Sequence, residues 1–291
     1  MYLFVAADGP RVEKAGEEAR CHATRQVVEN GINWDCQVKT LYQYENLGCG
    51  KAVSTAINWF FSYVEAGIIL EDDCLADPTF FDFCAQLLNK YQDRPEIMHI
   101  GGANFQPENK KRKHSYYFSN YLHIWGWATW KRAWDMYTFD IPKNFDDDFQ
   151  HQLKSRFPCK EERNYWRNTF AQMSKHEIDT WDLQWSYSVY QHSGIAITPA
   201  VNLVSNIGFG ADATHTTQAE AITANLPAKT MANIIHPKNI RIDRNADRYT
   251  YDQLFRHGNT RFNRLKFKLG KKLPIVKEVY LKLKKQKRQI Q

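Results

Sequence analysis

Short apolar runs alternate with polar, helix-prone stretches through the first hundred or so residues. Tyr2–Ala7 is apolar and stops at Asp8-Gly9-Pro10, which reads as a buried strand and a turn. Glu13 to Glu29 is charged and helix-prone, with Asn30-Gly31 as its stop. Cys36 to Tyr42 predicts a second strand. Asn46-Leu-Gly-Cys-Gly-Lys51 is a turn opening a helix that runs through Val64. Gly67–Leu70 predicts a third strand. Asp77-Pro78 opens a helix to about Tyr91, with the acid as cap and proline at the first position. Glu96 to Ile100 is a fourth strand, closed by Gly101-Gly102.

Strand alternating with helix in this way predicts an α/β fold with a mostly parallel sheet and flanking helices. Ligands bind such sheets beyond the carboxyl ends of the strands. Those ends carry Asp8-Gly9, Glu71-Asp72-Asp73 and Gly101-Gly102. The second half is less regular. It holds Trp125-Gly126-Trp127-Ala-Thr-Trp130, then helices rich in Trp and charge between about Phe145 and His192. Ile195 to Ile207 reads as a strand pair broken at Pro199. The expected division is a main domain over 1–217, an irregular extension over 218–255 and a basic amphipathic tail over 256–291.

Composition changes this picture mainly at the tail. The 291 residues suffice for a buried core, and 43% hydrophobic content argues against disorder of the body. From Arg256 onward there are thirteen Lys and Arg against one acid, Glu278. With a net charge of +7 overall, that end carries +12 and the remainder −5. Such asymmetry points to a tail that meets an anionic surface. The six cysteines form no Cys-x-x-Cys pair and read as reduced thiols of a cytoplasmic protein. No apolar run is long enough to span a membrane.

The triplet Glu71-Asp72-Asp73 is the strongest chemical signal. Two like charges about 4 Å apart repel by about 4 kcal/mol at an effective dielectric of 20. A divalent cation relieves this, and carboxylates suit Mg²⁺ or Mn²⁺. A solvated acidic turn is the plain alternative, and it is the reading for Asp146-Asp147-Asp148, which no apolar strand precedes.

Gly67-Ile-Ile-Leu-Glu-Asp-Asp-Cys74, with a Pro and two Phe soon after, resembles the metal motif of GT-A-fold glycosyltransferases. Bacterial nucleotide-diphospho-sugar transferases of the surface-polysaccharide type are the nearest in kind. The N-acetylglucosaminyltransferase I group is more distantly similar. Ala7-Asp8-Gly9-Pro10-Arg11, the turn at 46–51, Ile124–Trp130, Thr180-Trp-Asp-Leu-Gln-Trp185 and Asn202–Gly208 extend the resemblance from Leu3 to about His215.

The resemblance implies a GT-A (Rossmann-like) fold and an inverting, metal-dependent transferase. It would move a sugar from a nucleotide diphosphate, uridine being the family's usual choice, to a glycan or lipid-linked acceptor. Asp73 would ligand Mn²⁺ or Mg²⁺, Asp72 would contact the ribose, and Glu71 would act through water or a hydroxyl. Asp8 would touch the nucleoside. Lys51, at a helix start, would favour phosphate, because helix amino ends attract anions; an ordinary surface lysine is the alternative. An inverting transferase also needs a general base. Asp182, between Trp181 and Trp185, is the candidate, with Asp179 behind it and helix capping as the plain reading. His215 would serve the metal or diphosphate unless it is structural. Gly126 and Trp127 would shape the acceptor or sugar pocket unless they merely pack.

One departure stands out. The family begins one strand and helix earlier, so this sequence is expected to lack that first unit and part of its nucleotide wall. The tail is expected to hold the protein peripherally on the inner face of a membrane, and no nucleic-acid partner is expected. Two competing readings are a sugar-phosphate nucleotidyltransferase, whose glycine-rich start is missing here, and a non-catalytic nucleotide-sugar-binding protein.

Overall fold

The computed structural model describes residues 1–107, 112–209 and 226–256. The first four strands of the sequence reading are present. They are β1 (Tyr2–Ala7), β2 (Gln37–Tyr42), β3 (Ala66–Ile69) and, after the short β4 (Cys74–Ala76), β5 (Ile97–Gly101). The helices between them are α1 (Glu17–Gly31), α2 (Cys49–Phe61) and α3 (Thr79–Lys90). Helix α3 begins at Thr79, one residue after the expected proline, and Asp77 Oδ1 accepts the Thr79 backbone N–H at 2.9 Å.

The second half supplies β6 (Tyr116–Ser119), β7 (Trp127–Trp130), α4 (Lys131–Trp134), α5 (Asp147–Arg156), α6 (Lys160–Met173) and α7 (Asp182–Gln191). Strands β8 (Ile195–Pro199) and β9 (Val204–Asn206) follow, then α8 (Arg244–Thr250) and a π-helical turn, Tyr251–Phe255. The acidic run at 146–148 is not a plain turn. Asp146 is the N-cap of α5, accepting the Phe149 N–H at 2.7 Å, and its two acidic neighbours fill the first turn.

The sheet corrects one expectation. The fold is α/β with flanking helices, but the main sheet is mixed and not mostly parallel. Its five strands run in the order β3-β7-β5-β8-β6. Only β5 and β8 pair in parallel; β7 is antiparallel to both β3 and β5, and β6 to β8. The cause is the Trp-rich run, which inserts as β7 between β3 and β5. Strands β1 and β2 form a separate parallel pair, and β4 and β9 a separate antiparallel one. Consequently Ile195 to Ile207 is not one hairpin. Its halves serve different sheets.

Helix α2 connects the β1–β2 pair to the main sheet. Phe60 packs edge-on against Phe4 of β1 at 5.0 Å. On its other side Phe60 lies against Gly67 of β3, where a Cβ would come within 2.1 Å of the ring. The core lies on both faces of the main sheet. Trp127 belongs to the cluster beneath α5, α6 and α7, whereas Ala128 and Trp130 belong to the cluster around α3. That alternation is the period of two of a strand buried on both faces. Among the described residues no helix is long and apolar enough to cross a membrane.

Candidate active site

Because β7 runs antiparallel, its first residue meets the last residues of its neighbours. Trp127 is opposite Ile69 of β3 and Gly101 of β5. The Trp-rich run therefore begins at the same sheet end that carries the acidic triplet. Gly126 makes the turn into β7 at φ +62°, the left-handed region that favours glycine. Its carbonyl accepts the Gly102 N–H at 2.7 Å, and a Cβ there would meet Val204 at 2.7 Å.

The triplet occupies the turn between β3 and β4, closed by the Cys74 N–H donating to the Glu71 carbonyl at 3.0 Å. Asp72 is exposed, and Glu71 and Asp73 are half-buried. The β4–β9 ladder continues to this turn, with the Ile207 N–H donating to the Asp73 carbonyl at 2.9 Å. Gly208 then lies against the Asp73 side chain so closely that a Cβ would come within 2.2 Å of Oδ2.

Glu71 is strongly perturbed. Burial first, then the Asp73, Asp182 and Asp72 charges, push its carboxyl up to about 7, while a hydrogen bond from Trp181 works the other way. That bond runs from Trp181 Nε1 to Glu71 Oε1 at 3.1 Å and joins residues 110 apart in sequence. Trp181 immediately precedes α7, whose first residue is Asp182. The Thr180 hydroxyl donates to the Asp182 carboxylate. Glu71 and the proposed base thus share one site.

A stack of rings stands behind Trp181. It lies on Trp127 at 5.5 Å and 20°, and Trp127 lies on His99 at 5.1 Å and 19°. The Trp185 indole donates to His99 Nδ1 at 3.3 Å, so Nε2 carries the proton and donates to the His123 carbonyl at 3.1 Å. Trp127 is fully buried within this stack. It packs behind Trp181, in keeping with the packing role that the sequence reading held open beside the pocket role. Sequence reasoning missed His99 altogether, since a histidine inside an apolar strand gives no sign of what it stacks on.

Asp8 and Asp179 organise the amino end of α2. Asp8 accepts from the Gly9, Leu47 and Gly48 backbone N–H groups and from the Asn46 side chain, at 2.8, 2.9, 3.2 and 2.9 Å. Its carboxylate clamps the 46–48 loop. Asp179 accepts the Cys49 and Gly50 N–H groups, each at 2.8 Å. Two of the helix-end donors expected to favour a phosphate beside Lys51 are therefore taken by a carboxylate of the protein itself. Lys51 is exposed at the surface. Asp179 does not cap α7, the helix beside it in sequence; it ties the α6–α7 loop to α2.

The Cys49 thiol registers this convergence. Burial pushes it up to about 11, with added contributions from Glu71, Asp179, Asp182 and Asp8. Four acids from three separate segments therefore surround one helix end. No three His, Cys, Asp or Glu side chains form a metal-binding group among the described residues. His215, expected near the metal, lies outside the described residues, as does the basic tail beyond Arg256. The acids present fit an open site in which one or two carboxylates hold Mn²⁺ or Mg²⁺ and a substrate phosphate completes the shell. They do not form a closed cage.

No known family model matches the chain, and no curated protein matches it.

Proposed function

We propose that this protein is an inverting glycosyltransferase of GT-A type. It uses a nucleotide diphosphate-sugar, with uridine as the favoured base, and a glycan or lipid-linked acceptor. The observation that carries the reading is the Trp181–Glu71 hydrogen bond. It draws the acidic strand end and the start of α7 into one site, as a donor half and an acceptor half require.

In this reading Asp73 would hold Mn²⁺ or Mg²⁺, which when bound neutralises the departing diphosphate, and Asp72 would contact the ribose. Asp182 takes the proton of the acceptor hydroxyl as the sugar carbon is attacked. Trp181 orients Glu71, which accepts a hydrogen bond from a sugar hydroxyl. Asp8 and Asp179 keep the α2 loop in shape around the donor. Support comes from the convergence of separate acidic segments and from the raised Glu71 carboxyl, since perturbed groups cluster at functional sites.

The test is a thermal-shift panel of nucleotide sugars with and without Mn²⁺, followed by transfer assays. Ligand at a hundredfold excess over its Kd stabilises the folded state by about 2.7 kcal/mol. A metal-dependent rise with at least one nucleotide sugar is expected. In Asp182→Asn that rise should persist while turnover falls by a hundredfold or more. A chain that binds no nucleotide sugar under any metal condition sinks the proposal. Binding without turnover in the wild type would favour the non-catalytic reading.

A further inference from the structure

Strand β6 is the edge of the main sheet opposite β3. At about 4.8 Å per strand spacing the two edges are roughly 19 Å apart, so β6 is well removed from the acidic site. The arm at residues 233–243 runs along β6. It is tied at one end by the Ser115 N–H to the Ile235 carbonyl, and at the other by the Asp243 N–H to the Phe118 carbonyl, each at 2.9 Å. Between them lies a cavity of about 760 Å³, within the range of small-molecule sites.

Its lining is strongly cationic. Arg112, Lys113, Lys238 and Arg241 face a single carboxylate, Asp243. Lys113, Lys238 and Arg241 are exposed and make no ion pair among the described residues. Arg112 is different. It lies flat on the Tyr117 ring at 3.7 Å and gives Nη1 to Asp243 at 2.7 Å. Its Nε and Nη2 are buried and have no partner among the described residues. Those two N–H groups form the fork with which arginine grips two oxygens of one carboxylate or phosphate. Leaving buried donors of a cation unpaired is costly, and a bound oxyanion relieves the cost.

We infer that this cavity is an anion site that takes a phosphate-bearing ligand, with Arg112 at its floor and Lys113, Lys238 and Arg241 at its mouth. Phosphate suits it because a tetrahedral, multiply charged group can meet the fork and the lysines together. The source is either a soluble phosphate ester or a phospholipid headgroup. The site is independent of the proposed donor site.

The experiment is titration calorimetry of the full chain with inorganic pyrophosphate. EDTA is included, so that no divalent ion recruits the ligand to the acidic triplet. The main variant is Lys238→Gln/Arg241→Gln, because both side chains are exposed and their loss leaves the packing intact. Arg112→Gln is the second. Pyrophosphate affinity is expected to fall at least tenfold in the double variant with an unchanged melting temperature, and to fall also in Arg112→Gln. Vesicle co-sedimentation, with phosphatidylglycerol against phosphatidylcholine alone, separates the sources. Weaker binding of the anionic vesicles by the double variant identifies a headgroup. A loss confined to pyrophosphate identifies a soluble ester. Wild-type affinity in the double variant overturns the inference, since the binding then belongs to other basic segments. So does a wild type that binds no pyrophosphate.

Discussion

Trp181 serves two surroundings at once. Its ring is part of the core, stacked on Trp127, and its N–H reaches out of the core to Glu71. Phenylalanine keeps the ring and deletes the donor. Trp181→Phe is expected to lower stability by about 1.5–3 kcal/mol, the range for a hydrogen bond to a charged group, measured by urea denaturation. Transfer should fall by tenfold or more through loss of Glu71 orientation. Equal turnover in the variant and the wild type would remove Glu71 orientation from the mechanism. Trp127 shows the opposite compromise. Its indole N–H is buried without a partner among the described residues, yet it stacks on a ring at both faces. Packing decides its position.

At the scale of elements, α2 is held by groups outside itself. Gly48 precedes it with φ +79° and makes no side-chain cap. Asp179 satisfies two of the orphan N–H groups from 130 residues away. Asp179→Ala is expected to cost about 1 kcal/mol, as the loss of a side-chain cap does, read as a lower urea midpoint. Asp179→Asn, which retains an acceptor without the charge, should recover part of it. An unchanged midpoint in Asp179→Ala would mean that water replaces the carboxylate without loss. Helix α8 is anchored in a similar way. Its Asp247 is buried and accepts from the Ser119 hydroxyl at 2.6 Å and the Asn120 side chain at 2.8 Å, which fixes the C-terminal extension to the end of β6.

For the whole molecule, buried titratable groups set the response to acid. Burial lowers His99 from 6.5 to about 3 and His123 from 6.5 to about 4. The unfolded chain binds these protons first. Stability from both groups is present above pH 6.5 and lost as pH falls through 4 to 3. For His99 alone the span amounts to about 5 kcal/mol at 1.36 kcal/mol per unit. Asp247 acts in the opposite sense. Burial raises it from 3.8 to about 6, so its contribution is greatest below 3.8 and declines as pH rises through 6. Urea midpoints measured from pH 7 to pH 4 are expected to fall less steeply in His99→Asn than in the wild type. Parallel profiles would show that His99 takes up no proton on unfolding in this range.

Much of the architecture is legible in the sequence, because strands and helices are local objects. Period and punctuation marked β1, β2, β3 and β5 to within a residue or so, and proline with aspartate marked the start of α3. The acidic triplet at a strand end was legible for the same reason: it is three adjacent residues after an apolar run. What the tertiary structure alone decided is adjacency. Nothing in Trp127–Trp130 says that it enters the sheet between β3 and β5 running the other way, since a ladder is chosen by competition among all available edges. Nothing local joins Trp181 to Glu71, or Asp179 to the amino end of α2, since those contacts exist only after the chain has folded around one core. Side-chain types and local periodicity sufficed to nominate the acids, and only long-range packing brought them together at one end of the sheet.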